Sequence, residues 1–484
     1  MLGAGGQLVL FGYLASLLVI GWLGRRARQS DSLEDFYLAG RGLGLTSIFF
    51  SLYATQYSGN ALVGYPANAY RQGFYFFSSI TFMLGIVGIY WLFAPRLQRL
   101  ATQRRYLTAG DLIRDRYHHN LLAAVLNGIF ILVLASYILA NLKAVGQVLY
   151  AVTDGQVSLS TAIWTAAFIM VVYESLGGMR SVAWSDALQG VLLLLGCGVF
   201  FLAINLHFGG PSVLLAKLQS VRPEFWDPPG LRALFGYASI IIVVAFGAAV
   251  YPQALQRIFA ARNASTLKRS LQLMLIMPLL TITLVLAIGL TGAAVIPGLD
   301  RAGSEGITLA LLAELIEAVP TLRWLFVLFL SAALAAIMST VDSALLALSS
   351  LFTQDIYRRW RPSVTQSRLT FAGKLFSWVV MAAMATLAIK LPQTIWQLTV
   401  VKLEVLCQAA PAIICAVRRH PPAGRAVLGG VVAGLTVVLV LRVGDAVGWL
   451  GGDNPLGVES GAWGLAINVI TLFFLHRNRN LQAA

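Results

Sequence analysis

The sequence predicts an all-α polytopic membrane protein with about 13 transmembrane helices. Hydrophobic residues make up 58% of the chain and charged residues only 11%, which is far more apolar than a water-soluble domain. Apolar runs of about 20 residues, the length needed to cross a bilayer, recur along the whole chain. The loops between them are short and carry most basic residues, as the cytoplasmic loops of membrane proteins do.

Thirteen apolar runs have the length of a membrane span, and the chain of 484 residues leaves little room for a soluble domain. The first run is followed by Arg25, Arg26 and Arg28 and has no basic stretch before it, so we interpret it as an uncleaved helix with the N-terminus outside. The predicted spans are 6–24, 45–70, 74–94, 120–150, 158–175, 186–206, 234–256, 270–295, 322–352, 367–389, 393–417, 425–444 and 459–476.

This topology accounts for the net charge of +15 without a nucleic-acid partner. With thirteen spans and the N-terminus outside, most of the 35 Lys and Arg residues, including the segment from Arg257 to Arg269, lie in loops predicted to be cytoplasmic. We therefore expect a multi-pass protein of the plasma (bacterial inner) membrane with a cytoplasmic C-terminus. Its expected partners are the lipid bilayer and a small-molecule solute, and no obligatory protein partner is indicated.

Two spans are interrupted by glycine and proline. The second contains Gly64 and Pro66, and the seventh contains Gly247 and Pro252. Each opens a set of five spans, and an odd number of spans per set gives the two sets opposite orientations. Inverted repeats with broken helices are typical of secondary transporters that bind solute and ion at the membrane midplane. The expected parts are an extra N-terminal helix (1–30), two five-helix repeats (45–206 and 234–418), and two C-terminal helices with a tail (425–484).

The ninth span carries an unusual set of polar residues. Between Ala332 and Tyr357 the sequence places Ser339, Thr340, Asp342 and Ser343 in an otherwise apolar segment. A carboxylate at bilayer depth is costly and usually faces the interior of the bundle or an ion path. The three hydroxyl residues are spaced three and four apart, so one helix face presents several oxygens. We interpret this face as a functional site.

Four strings resemble the sodium/solute symporter family, and they lie in matching order along nearly the whole chain. The resemblance implies a leucine-transporter-like 5+5 inverted-repeat core with one extra N-terminal helix and two C-terminal ones. The string in the second span is most similar to the sodium/proline symporter branch. The strings are DFYLAGR (Asp35–Arg41), SGNALVGYPANAY (Ser58–Tyr70), GGMRSVAWSDALQG (Gly177–Gly190) and MSTVDSALLALSSLFTQDIY (Met338–Tyr357).

In this family a sodium ion binds between the unwound second span and the ninth span. Carried over by motif, its ligands are the main-chain carbonyls of Ala54, Tyr57 and Ala336 and the hydroxyls of Ser339 and Thr340. A small hard cation prefers oxygen ligands, and unwound backbone supplies free carbonyls. The competing interpretation is that both hydroxyls only bond back to the preceding helical turn.

Some family members hold a second cation, and the matching positions here are Asp186, Ser339, Asp342 and Ser343. Asp342 stands where the family more often has a hydroxyl or a small residue, which indicates either stronger cation binding or a proton-linked site. An alternative for Asp186 is a helix N-cap at the start of the sixth span.

The solute is expected to bind beside the broken helices. Gln56 stands where the proline branch carries an aspartate, which argues against proline. Lys143 in the fourth span and Arg71 at the outer end of the second are candidate partners for a solute carboxylate, with snorkelling to the interface as the alternative. The predicted pocket residues are Gln56, Ser58, Asn60, Tyr137, Asn141, Lys143, Phe246 and Tyr251.

The sequence thus predicts a sodium-coupled symporter, with Na+ as the coupling ion and an amino or carboxylic acid favoured as the solute. It predicts no enzyme, because the loops are short and carry no catalytic motif. Two alternatives stay open: a proton-coupled symporter of the same fold, and a membrane sensor that binds solute without moving it. Lys402 and Glu404 in the eleventh span are two residues apart, so on a regular helix they point to different sides.

Overall fold

The structure is a computed structural model that describes residues 4–57, 59–62, 64–153, 156–390, 395–447 and 455–482. Across these ranges the chain is almost entirely helical, and the β-structure is limited to a single parallel bridge between Leu43 and Ala261. Ten stretches are long and apolar enough to cross a membrane. The all-helical, polytopic prediction is therefore confirmed.

The described residues form twenty-four α-helices, eleven of them in the first half of the chain. They are α1 (Ala4–Arg26), α2 (Leu33–Leu38), α3 (Leu45–Gln56), α4 (Gly59–Leu62), α5 (Gly64–Gln72), α6 (Ser78–Arg104), α7 (Ala109–Tyr117), α8 (Asn120–Val152), α9 (Leu159–Gly177), α10 (Met179–His207) and α11 (Gly210–Val221).

The second half adds thirteen α-helices. They are α12 (Leu231–Ala249), α13 (Pro252–Ala260), α14 (Ala264–Met274), α15 (Thr283–Val295), α16 (Arg301–Glu305), α17 (Ile307–Ala318), α18 (Arg323–Leu351), α19 (Arg358–Trp360), α20 (Gln366–Lys390), α21 (Ile395–Leu406), α22 (Ala410–Ala416), α23 (Gly424–Ala446) and α24 (Ser460–Gln482). Two π-helical turns, Pro278–Ile282 and Phe352–Tyr357, extend the spans of α15 and α18.

Three of the thirteen predicted spans do not appear as separate stretches among the ten membrane-length stretches of the described residues. The second is divided among α3, α4 and α5, and α5 runs on towards α6 in a single apolar stretch. The eleventh is divided between α21 and α22 and begins in residues outside the described ranges. The thirteenth corresponds to α24, which is less hydrophobic than α23. The count of thirteen spans stays a prediction.

Both predicted helix breaks are present. The helix α3 ends at Gln56, and Tyr57 donates its backbone N–H to the Tyr53 carbonyl, 3.1 Å away, as its last turn closes. The helix α12 ends at Ala249, and Pro252 starts α13, a position at which proline loses no helical hydrogen bond. A helix break at bilayer depth releases backbone groups that need another partner, such as a ligand.

The helix α18 lies at the centre of the bundle. Of its membrane-length stretch 83% is buried, and it contacts α1, α3, α4, α8, α10, α13 and α20. It has 29 residues, so it is about 44 Å long, and the polar residues from Ser339 to Ser343 lie near its middle. The polar face predicted from sequence is therefore at the depth at which transporters of this architecture bind ions.

Three strings singled out in the sequence meet at one end of the bundle. Asp35 accepts two bonds of 2.7 Å from the guanidinium of Arg180, at the start of α10. Tyr37 shares hydrogen bonds with Ser349 (2.9 Å) and Thr353 (3.0 Å) at the far end of α18. These contacts tie α2 to α10 and α18 at the end that the topology predicts to be cytoplasmic.

Gly178 explains why α9 and α10 follow each other without a loop. Its φ of +59° lies in the region that favours glycine, and a Cβ there would meet the carbonyl oxygen of Phe36 at 2.4 Å. The sharp turn and this close approach hold Arg180 within reach of Asp35. A side chain at position 178 would therefore separate α2 from α10.

The ion pair between Asp35 and Arg180 is expected to contribute strongly to stability. Asp35→Ala leaves the nearly buried Arg180 side chain, 11% exposed, without a counter-charge, so we expect a loss of about 3 kcal/mol. Asp31→Ala is the matched control, because Asp31 pairs with Arg28 at the surface and is 79% exposed; such pairs contribute at most about 1 kcal/mol. Thermal unfolding of the purified protein at pH 7 measures both, and equal effects would contradict this expectation.

The same pair predicts acid resistance at this end of the bundle. Burial opposes ionisation of Asp35, but the bonds from Arg180 and from the backbone N–H of Gln29 outweigh it and lower the pKa of Asp35. Its stabilising contribution is therefore present above the ordinary aspartate pKa of about 4 and is lost only as the pH falls through the lowered value. The stability difference between wild type and Asp35→Ala should stay constant from pH 7 to pH 5, and a decline across that range would contradict it.

Candidate functional site

The broken second span and α18 bring the predicted sodium ligands to adjacent elements. Ala54 and Tyr57 lie at the end of α3, and both are buried, as are Ala336, Ser339 and Thr340 on α18. The helix α18 contacts both α3 and α4, on either side of the break. The structure therefore places carbonyl and hydroxyl oxygens from two elements in one buried region. Ser58, within the break, lies outside the described residues.

The hydroxyls of Ser339 and Thr340, the two predicted side-chain ligands on α18, donate their protons to different acceptors. Thr340 donates to the carbonyl of Ala336 at 3.0 Å, the bond to the preceding turn that the competing interpretation expected. Ser339 instead donates to a carboxylate oxygen of Asp186 at 2.5 Å. A hydroxyl that donates its proton keeps its lone pairs for a cation. Both hydrogen bonds are therefore compatible with sodium coordination by the same oxygens.

A buried ion pair lies directly beside these hydroxyls. Asp186 and Arg257 are fully buried, and the guanidinium donates to the carboxylate at 2.8 Å. Ser51 on α3 donates to Asp186 at 2.5 Å and accepts a bond of 2.7 Å from Arg257. Arg257 also donates to Ser343 on α18. The cluster thus joins α3, α10, α13 and α18, and its charges are matched by hydrogen bonds on all sides.

Two expectations about this cluster are wrong. Asp186 is not a helix N-cap, because α10 begins at Met179 and Gly178 precedes it; Asp186 faces the core two turns further along. Arg257 does not belong to a cytoplasmic loop, since all nine residues of α13 are buried. The apolar run predicted for the seventh span ends at residue 256, which assigns Arg257 to the loop that follows. In the structure the segment after the break at Val250 and Tyr251 stays buried beyond that point.

Asp342 stands apart from the ion pair. It is rotated by about 100° from Ser343 around α18, and neither carboxylate oxygen has a hydrogen-bond partner among the described residues. It lies close enough to Tyr13 of α1 to interact with it electrostatically, and Tyr13 accepts a bond of 3.1 Å from Gln189. Of the predicted second-cation residues, the structure brings Asp186 and Ser343 together through Arg257 and leaves Asp342 on another side of α18.

Three predicted pocket residues lie around the helix breaks with aromatic neighbours. Gln56 donates to the hydroxyl of Tyr90 at 2.6 Å. The rings of Tyr137 on α8 and Tyr251 at the start of α13 are stacked, with centroids 5.3 Å apart and planes inclined by 5°. Tyr65 and Tyr90 also lie near Tyr251. Tyrosine side chains from four elements therefore surround the region between the two breaks.

The remaining predicted pocket residues are placed less favourably. Asn141 donates its amide to the Tyr137 carbonyl, 2.8 Å away on its own helix. Lys143 lies six residues after Tyr137 on the continuous helix α8, a rotation of about 240°, so it does not share the face of that ring. Phe246 is partly buried and packs on the core. The structure describes the backbone of Asn60 but not its side chain.

Arg71 is committed elsewhere. It forms a salt bridge of 3.1 Å with Glu305 and hydrogen bonds with Ser304 (2.8 Å) and Asn68 (2.9 Å). These contacts fasten α5 to α16 at the end of the bundle opposite Asp35. The expectation that Arg71 pairs a solute carboxylate is not supported by this placement, because its donors already have protein partners.

Lys402 and Glu404 do point to different sides of α21, as their spacing predicts. Glu404 accepts bonds of 2.7 Å from Arg442 on α23 and from Ser460 on α24. Lys402 is 4% exposed and points towards α8, with Nζ 3.4 Å from the centroid of the Tyr137 ring. The sequence signal that could have connected Lys402 with the pocket is its charge, because a lysine within a membrane span is costly and usually functional.

A cavity of about 870 Å³ opens at the end of the bundle opposite the contact between Asp35 and Arg180. Its inner wall includes Tyr65, Val244 and Leu403, and its outer wall includes Glu224 and Arg442. Tyr65 is one of the tyrosines that lie near Tyr251. The cavity therefore leads from the surface towards the two helix breaks.

Comparison with known proteins gives a consistent result. The model of the sodium:solute symporter family matches residues 36–417. The high-affinity proline transporter PutP of Bacillus subtilis is 27% identical over 370 residues, covering 74% of this chain and 75% of that protein. The sodium/pantothenate symporter of Haemophilus influenzae is 24% identical over 377 residues, covering 76% of this chain and 75% of that protein.

A solved structure of a Na+-coupled sialic acid symporter, described as substrate-bound and outward-open, has a TM-score of 0.80 with this chain. The two are 18% identical, and the likeness covers 98% of this chain and 96% of the other. At this identity the likeness establishes a common fold.

The pair of Asp186 and Arg257 is expected to behave as one coupled unit. Asp186→Asn leaves a buried guanidinium uncompensated, and Arg257→Gln leaves a buried carboxylate, so each should cost about 3 kcal/mol. The double variant removes both charges and should cost clearly less than the two single effects added together. Thermal midpoints of the four detergent-purified proteins form the cycle. Additive effects would show that the two side chains do not act as a pair.

Proposed function

The chain belongs to the sodium:solute symporter family, and we propose that it is a sodium-coupled secondary active symporter that imports a small polar organic solute by alternating access. The observation that carries the proposal is the buried junction between the break after α3 and the middle of α18. There, α3, at whose end the buried Ala54 and Tyr57 lie, packs against α18, which carries the buried Ala336, Ser339 and Thr340. These residues are the proposed sodium ligands.

Sodium binding at this junction links the ion to the solute. The ion bridges α18 and the broken second span. The core surrounds α18, whereas the part of the second span after its break faces the pocket. A state in which the two elements are close binds sodium better than one in which they have separated. Differential ion affinity between two states is what couples an ion gradient to a conformational change. Each charge that crosses the membrane supplies about 2.3 kcal/mol per 100 mV of potential.

The two ends of the bundle support alternating access. At one end, Asp35 pairs with Arg180, and Arg114 on α7 pairs with Asp355 after α18. At the other, the cavity extends from the surface to Tyr65 and Leu403. If the first end is cytoplasmic, as the topology predicts, the structure corresponds to a state open to the outside. Import then requires the contacts at Asp35 and Asp355 to separate.

An amino acid or another carboxylic acid is the favoured solute. Three similar proteins are named for proline, pantothenate and sialic acid, and each of these solutes contains a carboxylate. Gln56 and the stacked pair of Tyr137 and Tyr251 offer an amide and aromatic surfaces to it. The proposed pocket comprises these three residues together with Ser58, Asn60, Asn141, Lys143 and Phe246.

We favour one sodium ion over two. The second-cation proposal assigns Asp186, Asp342 and Ser343, but the guanidinium of Arg257 already supplies a positive charge to Asp186 and Ser343. A second ion at this place requires Arg257 to withdraw during the transport cycle. Without such a movement, the pair of Asp186 and Arg257 is a structural clamp beside a single ion site.

Proton coupling is the second candidate, and a specific observation favours it. Asp342 is fully buried, and neither oxygen has a hydrogen-bond partner among the described residues. A carboxylate in such surroundings either carries a proton or binds a cation. In a proton-coupled symporter of this fold, Asp342 is the residue that would exchange the proton. A sensor without transport would use the same solute pocket.

Removing both hydroxyls at the junction should weaken sodium binding. For Ser339→Ala combined with Thr340→Ala, we expect the sodium concentration that gives half-maximal thermal stabilisation to rise at least tenfold, which is about 1.4 kcal/mol. Ser331→Ala is the matched control, because Ser331 is also buried on α18 but lies about two turns away. Potassium replaces sodium to hold the ionic strength constant. Unchanged sodium dependence in the double variant would remove the site assignment.

Uptake into proteoliposomes separates the three functional alternatives. The panel comprises radiolabelled amino acids, monocarboxylates, sugar acids, vitamins and sugars, including proline, pantothenate and sialic acid. We expect an inward sodium gradient to drive accumulation of at least one solute, and a pH gradient without sodium to drive none. Accumulation driven by the pH gradient and abolished in Asp342→Asn would establish proton coupling instead. Solute binding with no uptake under either gradient would identify a sensor.

A further inference from the structure

Lys402 is a buried lysine at the level of the helix breaks. It is 4% exposed, and its Nζ lies 3.4 Å from the ring centroid of Tyr137 and 5.8 Å from that of Tyr251. Because the two rings are stacked, the ammonium group sits over one face of an aromatic pair. Tyr137 is near the middle of the 33-residue helix α8, and Tyr251 immediately precedes α13, at the second helix break. Lys402 is therefore at mid-membrane depth.

The aromatic contact alone does not balance the charge of Lys402. A cation–π interaction contributes about 2 kcal/mol when it is desolvated, whereas burying an ammonium group costs several kcal/mol. Within the ranges that the structure describes, no carboxylate forms a salt bridge with Lys402. Glu404, the nearest acidic residue along α21, is committed to Arg442 and Ser460. The counter-charge that would stabilise the ammonium form of Lys402 is therefore left for an incoming anion to supply.

The cavity comes close to Lys402 along α21. Val401 and Leu403, the neighbours of Lys402 on α21, both line the cavity, as does Tyr65, whereas Lys402 itself is buried behind them. Tyr65 and Tyr137 both lie near Tyr251, whose ring centroid is 5.8 Å from the Lys402 Nζ. Arg71, by contrast, is bonded to Glu305 and Ser304, and Lys143 lies on another side of α8 from Tyr137. Lys402 is thus the cation best placed between the cavity and the helix breaks.

We propose that Lys402 is the anchor for an anionic head group, most simply a carboxylate, in the solute pocket, with Tyr137 and Tyr251 forming the surface beneath it. The proposal rests on the proposed symport function and deepens it by naming the residue that binds the carboxylate of the favoured acid solute. The carboxylate replaces the missing counter-charge, and a strong hydrogen bond forms between two charged groups in a buried site. A neutral analogue leaves the ammonium group uncompensated, so the pocket discriminates against it.

The test compares acids with their amides. Each carboxylic acid of the uptake panel is paired with its own amide, and thermal stabilisation of the purified full-length protein is measured in sodium. We expect at least one acid to stabilise the wild type and its amide to bind at least tenfold more weakly. Lys402→Gln should weaken binding of that acid at least tenfold and abolish the discrimination, whereas Lys402→Arg should retain part of both. Lys217→Gln, which neutralises an exposed lysine on α11, is the control and should change neither.

The outcomes separate this proposal from the symport function. Stabilisation of Lys402→Gln by sodium alone shows that the variant is folded and that its sodium site is intact. If the acid binds that variant as tightly as it binds the wild type, or if the solutes that stabilise the wild type include no acid, the anchor role is overturned while sodium coupling stands. If sodium stabilises neither protein, the proposed symport function itself is overturned. The comparison of acid and amide in the wild type needs no variant and tests the proposal even if Lys402→Gln does not fold.

Discussion

The buried ion pair between Asp186 and Arg257 is the interaction on which the arrangement of the centre depends. It joins four helices at a depth where neither charge has water, and each partner also bonds to a serine on a neighbouring helix. Breaking such a pair is costly because the remaining charge stays buried. The pair therefore fixes the position of α18 relative to α3 and α10. Ser339, which donates to Asp186, is oriented by it.

A second constraint acts through the backbone. In a membrane, every carbonyl that a helix break releases needs another partner, and the described chain has breaks in α3–α5 and α12–α13. The helix α18 contacts α3, α4 and α13, so elements on both sides of the first break and after the second pack against it. In the proposed function, an ion and a solute provide partners for the backbone at these breaks. The polar residues at this level are costly without ligands, which is a reason to assign them to binding rather than to stability.

Much of the fold could be predicted from the sequence, because the relevant signals are local. Gly64 and Pro66 predict the first break, Gly247 and Pro252 the second, and the hydroxyl spacing on α18 predicts one polar face. The pairings between distant segments could not be predicted in this way. Arg257 resembled a loop residue until its helix was found to be buried, and Arg71 resembled a free cation until α16 was placed beside it. The orientation of Lys402 towards Tyr137 depends on how α21 packs on α8, for which a spacing of residues carries no information.

Direct sodium binding tests the central claim, that the junction of α3 and α18 is a sodium site built into the resting protein. Binding of ²²Na+ to the purified protein, measured by scintillation proximity without any solute, requires no knowledge of what is transported. We expect saturable binding of one sodium ion per chain, which unlabelled sodium displaces and potassium does not. Absence of saturable binding, or equal displacement by potassium, would contradict it.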